Sequence, residues 1–255
     1  MDIPFEIFDH IFGFLITHPA SLVACSEAHP VFSRMVEKYQ YYRLIINSTI
    51  CVTKLLWDKP RIANYVRVLQ IEGEPRHPFT WMTTVYFKRI AAILPLFPLL
   101  ECIVLSYDGM INWKEGMPQV FRKAMEDCLR LPTLRELHID SYCKNFPVSM
   151  LDNNPNIDCF SLRGTPKVSD VADSNTTYPQ LKSLSITGFH ESRFHHIPFG
   201  AWVKPRITRL QSLKYDYSSD NTLLDLLEIC SDTLTTLDIT LDDAVDTQCE
   251  SSVLP

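Results

Sequence analysis

Leu134-Arg135-Glu136-Leu137-His138-Ile139 sets three apolar residues in a fixed frame: apolar, two variable residues, apolar, one variable residue, apolar. The frame occurs six more times, as Val66-Leu69-Ile71, Leu100-Ile103-Leu105, Ile157-Phe160-Leu162, Leu181-Leu184-Ile186, Leu210-Leu213-Tyr215 and Leu234-Leu237-Ile239. Successive copies start 34, 34, 23, 24, 29 and 24 residues apart, the spacing of stacked repeats of about 20–30 residues with insertions. Proline recurs two residues ahead of the first apolar position at Pro98, Pro132, Pro155 and Pro179, so the turn into each strand is built alike. Between strands, Met82 to Leu94, Val120 to Leu129 and Thr222 to Cys230 read as helices, and Thr165 to Tyr178 as a plain loop. The fold class predicted is an α/β solenoid, an irregular horseshoe with a parallel concave sheet over residues 66–255. Repeated scaffolds of this kind serve binding more than chemistry. The chain stops at Ser251-Ser252-Val253-Leu254-Pro255, soon after the last repeat and without the polar cap that solenoids need. Either a truncated product or a poorly ordered last repeat is therefore expected.

Ahead of the repeats, residues 1–40 read as three short helices and residues 41–65 as a linker with a helix at Val52 to Trp57. The first helix, Pro4 to Leu15, carries proline where a first turn tolerates it. On its helical wheel Glu6, Asp9, His10 and Gly13 form one polar strip, and the rest is apolar. Ile7, Ile11 and Phe14 lie to one side and Phe5, Phe8, Phe12 and Leu15 to the other. A small N-terminal bundle can bury one such stripe, which leaves the second for a partner protein. Pro19 and Pro30 open the second and third helices, Ala20 to Ser26 and Val31 to about Tyr41.

These residues carry a resemblance. Ile3-Pro4-Phe5-Glu6-Ile7, followed by Ile11, Phe14-Leu15, Leu22, Cys25-Ser26 and Phe32, resembles the F-box, whose pattern runs Leu-Pro-x-Glu-Ile, Ile, Leu, Ser and an aromatic residue. Ile3 stands where the family has Leu and Phe32 where it has Trp, both swaps of tolerable volume. With the repeats at 66 to 240, the whole chain is similar to fungal-type F-box and leucine-rich-repeat proteins. The resemblance implies a substrate-recognition subunit of an SCF-type cullin-RING ubiquitin ligase. The box would dock on a Skp-type adaptor, and the repeats would hold a protein target. Ile3, Pro4, Ile7, Ile11, Leu15, Leu22 and Phe32 would form or support the adaptor surface. Such a subunit has no catalytic residues, cofactor or metal of its own. The asparagine typical of many leucine-rich repeats is missing after every strand, so the turns must be held in another way. An alternative from another class keeps a protein-binding scaffold and makes residues 1–40 a helical cap, with the Ile7 and Ile11 side packed on Val52 to Leu69.

Composition narrows the field. A net charge of -6 without a basic stripe argues against a nucleic-acid partner. The longest apolar stretch, Ile90 to Leu105, is broken by Pro95, Pro98 and Glu101, which argues against a membrane span. Eight cysteines with no close pair read as buried thiols rather than a disulfide framework. The first fifteen residues hold Asp2, Glu6 and Asp9 and no Lys or Arg, unlike a signal peptide. A cytoplasmic or nuclear protein is expected. The 7 glycines spell no dinucleotide fingerprint, Walker loop or nucleophile elbow.

Strand alternation places the third, fifth and seventh residues of each repeat on the face opposite the apolar ones. Among these, Glu136, His138, Asp140, Arg163, Lys214 and Asp216 are the candidates for gripping a target. Glu136, His138 and Asp140 share one strand, but neighbours two apart sit nearly 7 Å from each other at Cα, a strained arrangement for one ion. His190-Glu191 followed by His195-His196 misses the zinc-protease spacing by one residue. A loop cluster with Phe189, Phe194, Phe199 and Trp202 is the favoured reading.

Overall fold

The computed structural model describes residues 4–73, 80–107, 110–167, 178–187, 202–217 and 222–241. Three short helices come first, α1 (Phe5–Phe14), α2 (Pro19–Ala28) and α3 (Pro30–Gln40). Proline sets two of the starts: Pro19 and Pro30 occupy first-turn positions, where a missing N–H costs nothing. Pro4 precedes α1 in an extended conformation, and its carbonyl accepts the Ile7 N–H at 3.1 Å.

The remaining described elements follow in the order β1 (Arg43–Ile46), α4 (Thr49–Asp58), β2 (Val68–Glu72), α5 (Thr80–Ile93), β3 (Cys102–Ser106), β4 (Met110–Asn112), α6 (Gln119–Leu129), β5 (Glu136–Pro147), β6 (Cys159–Lys167), β7 (Ser183–Thr187), β8 (Ser212–Tyr217), α7 (Thr222–Cys230) and β9 (Thr236–Leu241). The nine strands of the described residues join one open sheet in the order β1-β2-β3-β5-β6-β7-β8-β9, with β4 paired to β5. Every pairing is parallel. Because parallel crossovers are right-handed, a sheet whose strands follow chain order puts its connections on one face. Each of the seven apolar frames supplies a strand.

The register is the frame itself. Leu69, Ile103, Leu137, Phe160, Leu184 and Leu213 pair in one row, and Ile71, Leu105, Ile139, Leu162, Ile186 and Tyr215 in the next. All twelve are buried in one continuous core together with Phe87, Ile90, Phe121 and Met125 of the helices. In β9 the matching Leu237 is 44% exposed, so the described residues leave the end of the core open.

The missing asparagines are replaced by a backbone device. The carbonyl of Arg67 accepts two N–H groups from the next repeat, Glu101 at 2.8 Å and Cys102 at 3.0 Å. The Glu101, Arg135, Asp158, Lys182 and Gln211 carbonyls each do the same for the repeat that follows. Thr133 and Thr233 add hydroxyl bonds of 2.7 Å to the Leu100 and Leu210 carbonyls. One carbonyl per repeat thus closes each strand start without a side-chain ladder.

Two expectations change, and one strand outruns its frame. The sheet begins inside the segment read as linker, because Leu44 and Ile46 point into the core and pair with Leu69 and Ile71. β6 runs on to Lys167, so Thr165–Lys167 is strand where a loop was expected. β5 is 12 residues long and outruns its frame, since its far end pairs with both β4 and β6. Among the described residues no helix is long and apolar enough to cross a membrane.

Candidate functional site

Two surfaces follow from this architecture, one on α1 and one on the sheet face without the apolar frame residues. In α1, Phe12 is 2% exposed and closes a small core with Leu22 of α2 and Val36 of α3. Phe8, Leu15, Phe32 and Tyr39 pack around it, with the Phe8 and Phe32 rings 4.8 Å apart. That core is separate from the one under the sheet. Asp9 fixes the rotation of the helix. Its carboxylate pairs with Lys38 at 2.7 Å, and its carbonyl accepts the Tyr39 hydroxyl at 2.8 Å. The Lys38 bond holds the Asp9 carboxyl below its ordinary value.

With the Phe8–Phe12 stripe spent on this core, the other stripe faces out. Ile7 is 50% exposed, Ile11 45% and Phe14 71%. Neither isoleucine belongs to the core that Val52 to Leu69 helps to form. Of the residues expected at an adaptor surface, Pro4, Ile7 and Ile11 are exposed, and Leu15, Leu22 and Phe32 lie beneath them in the small core. Ile3 lies outside the described residues. Glu37, buried in α3, reaches Arg61 at 2.8 Å and Lys59 at 3.7 Å, which ties the three helices to the turn ahead of β2.

On the sheet, the candidate target residues do not converge. Asp140 and Arg163 are exposed. Lys214 pairs with Asp238 on β9 at 2.9 Å. It stands three strands from His138, about 14 Å at the usual strand spacing. Asp216 pairs through its backbone with Thr240. Glu136 and His138 alone meet, with His138 Nε2 3.2 Å from Glu136 Oε2.

Two further side chains join them. Cys102, Glu136 and Cys159 occupy one row across β3, β5 and β6, at the third position of three successive frames. The ligand atoms of Cys102, Glu136 and His138 all lie within 4.8 Å of one another. Hydrogen bonding to the Cys102 thiol and then the Cys159 thiol, with a smaller part from Glu136, holds the His138 imidazole well above its ordinary pKa against burial. Elsewhere burial pushes the Cys128 and Cys143 thiols up to about 12, which makes them unreactive.

Reading the cysteines by chain separation missed this cluster. Counting frame position instead of residue number would have found it, because equal positions share a row. His190, Glu191, His195 and His196, with Phe189, Phe194 and Phe199, lie outside the described residues, whereas Trp202 is in the core. Compared with models of known protein families and with curated proteins, the chain matches none of them.

Proposed function

We propose that the chain is a non-catalytic substrate receptor of an SCF-type cullin-RING ubiquitin ligase. In this reading α1–α3 are an F-box that docks on a Skp-type adaptor. The parallel sheet and its helices are an irregular leucine-rich-repeat horseshoe, and its open face holds a protein target. The observation that carries the reading is the second apolar stripe of α1, with Ile7 and Ile11 about half exposed while Phe8, Phe12 and Leu15 beside them pack into the small core. Apolar surface concentrated on one short helix is what a partner helix or groove covers. The cap alternative asks for those same side chains to pack on Val52 to Leu69, and the open stripe does not favour it.

Co-expression with a Skp-type adaptor tests the proposal. The wild-type chain is expected to co-elute with the adaptor in a one-to-one complex, and Ile7→Asp with Ile11→Asp is expected to abolish it. Both side chains are exposed, so the double variant should unfold within about 0.5 kcal/mol per site of wild type. A wild-type chain that never retains adaptor ends the proposal.

A further inference from the structure

We propose that Cys102, Glu136 and His138 form a zinc-binding site on the open face of the sheet. The site is assembled by register rather than by a local sequence motif. Cys102 and Glu136 are direct partners on neighbouring strands, and His138 follows Glu136 on the same face of β5. Two nitrogen or oxygen ligands bound at about 2.0–2.2 Å to one tetrahedral zinc lie about 3.3–3.6 Å apart. The His138 and Glu136 atoms, at 3.2 Å, already stand near that separation. A thiolate at 2.3 Å from the same ion lies about 3.6 Å from the imidazole nitrogen. Since the three ligand atoms are within 4.8 Å of one another, Cys102 Sγ needs to move by about an ångström at most, a small χ1 rotation.

The donor set selects the metal. A thiolate, an imidazole and a carboxylate suit borderline zinc, whereas magnesium and calcium prefer all-oxygen shells. Partners beyond the ligands are also present. Cys159 on β6 stands directly beside Glu136 in the same row, where second-layer groups commonly sit at metal centres. Glu136 and His138 are both partly exposed, so the ion and its fourth position are reached from solvent. The site does not depend on the ligase reading, since nothing in it uses α1–α3.

The test uses the full chain, stripped with chelator, supplied with zinc and desalted before elemental analysis. One equivalent of zinc is expected, with affinity measured by competition against a chromophoric chelator. Cys102→Ser and His138→Gln are each expected to weaken binding about a hundredfold or more, beyond the 10–100-fold typical of outer-layer changes. Cys51→Ser, an exposed thiol on α4, is expected to leave it unchanged. Cobalt in place of zinc should give a thiolate-to-metal charge-transfer band that Cys102→Ser removes. Should that variant fold poorly, Glu136→Gln and His138→Gln alter partly exposed side chains and serve in its place. Absence of stoichiometric zinc, retention of zinc when Cys102 and His138 are both replaced, or a cobalt spectrum without the thiolate band overturns the site.

Discussion

Arg206→Ala is expected to cost about 3–5 kcal/mol of folding stability, the loss seen when one partner of a buried ion pair is removed. Arg206 sits in the short turn ahead of β8, and its side chain is 3% exposed. Its Nε donates to Asp152 Oδ1 at 3.0 Å, 54 residues back in the turn after β5, and a second guanidinium nitrogen donates to the same carboxylate. A third donates to the Trp202 carbonyl. The guanidinium also lies 4.0 Å from the centre of the Tyr178 ring and 4.4 Å from that of Trp202. The backbone carbonyl of Arg206 accepts the Leu181 N–H at 2.7 Å, so one residue joins three connections of the sheet. Desolvation dominates both members of the pair, pushing Asp152 up and Arg206 down from their ordinary values. Without the cation, the half-buried Asp152 carboxylate would lose the main group that offsets its desolvation.

The sign of the pH effect follows. In Arg206→Ala the folded-state pKa of Asp152 rises further above its unfolded value of about 3.9, so the native state binds the extra proton. The deficit is therefore largest at neutral pH and shrinks as pH falls through the raised value. Urea unfolding of wild type and variant at several pH values measures this. Replacing both partners with apolar residues, Arg206→Met with Asp152→Leu, should recover much of the loss. A deficit under about 1 kcal/mol, or one that grows on acidification, would show that the pair is not the clamp described.

Much of this architecture was legible because burial enforces period and spacing together. A frame such as Leu134-Leu137-Ile139 can close a core only if its second and third apolar residues face the same way, as strand residues two apart do. Seven copies in chain order then leave little choice but a sequential parallel sheet. The first strand is less plain because its frame, Tyr41-Leu44-Ile46, opens on a partly buried tyrosine in place of an aliphatic residue; its pairing with β2 makes it part of the sheet. The open stripe of α1 was legible for the converse reason, since a three-helix core is too small to cover Ile7 and Ile11 as well as Phe8 and Phe12. The cluster at Cys102, Glu136 and His138 was half legible. Glu136 and His138 stand together on one strand, but Cys102 reaches them through pairing across 34 residues, a relation no local pattern records. Arg206 and Asp152 gave no signal at all, because neither has a frame position and their contact depends on how two turns fold over the same end of the core.

Gly164→Ala is expected to be comparably damaging, on the order of 3 kcal/mol or more, combining about 1–3 kcal/mol for a forbidden backbone with a similar penalty for overpacking. Gly164 lies in β6 with φ of +129°, a value side-chain-bearing residues rarely adopt. A Cβ there would overlap the Cys143 carbonyl oxygen and come within 2.6 Å of its nitrogen and 2.8 Å of its carbonyl carbon. None of these is a flexible side chain, so strand β5 itself must shift. The position matters because this is where β5 and β6 lose step. Ile139 pairs with Leu162, Cys143 with Gly164 and Phe146 with Pro166, so β5 spends seven residues where β6 spends four. Asn145, also at positive φ, completes the bulge by donating its N–H to Thr165 Oγ1 at 3.2 Å. The bulge carries Phe146 into the aromatic row, 4.9 Å from Trp113 and 5.9 Å from Phe160. Moving β5 would therefore loosen packing well beyond Gly164. Gly13→Ala is the contrasting case: in α1 the nearest atom to the new Cβ is Tyr39 Cε1 at 3.8 Å, an ordinary contact. There the helix preference for alanine should raise stability by about 0.5–1 kcal/mol. Denaturant midpoints for the two alanine variants should move in opposite directions, and a Gly164→Ala protein as stable as wild type would mean that the bulge can relax at no cost.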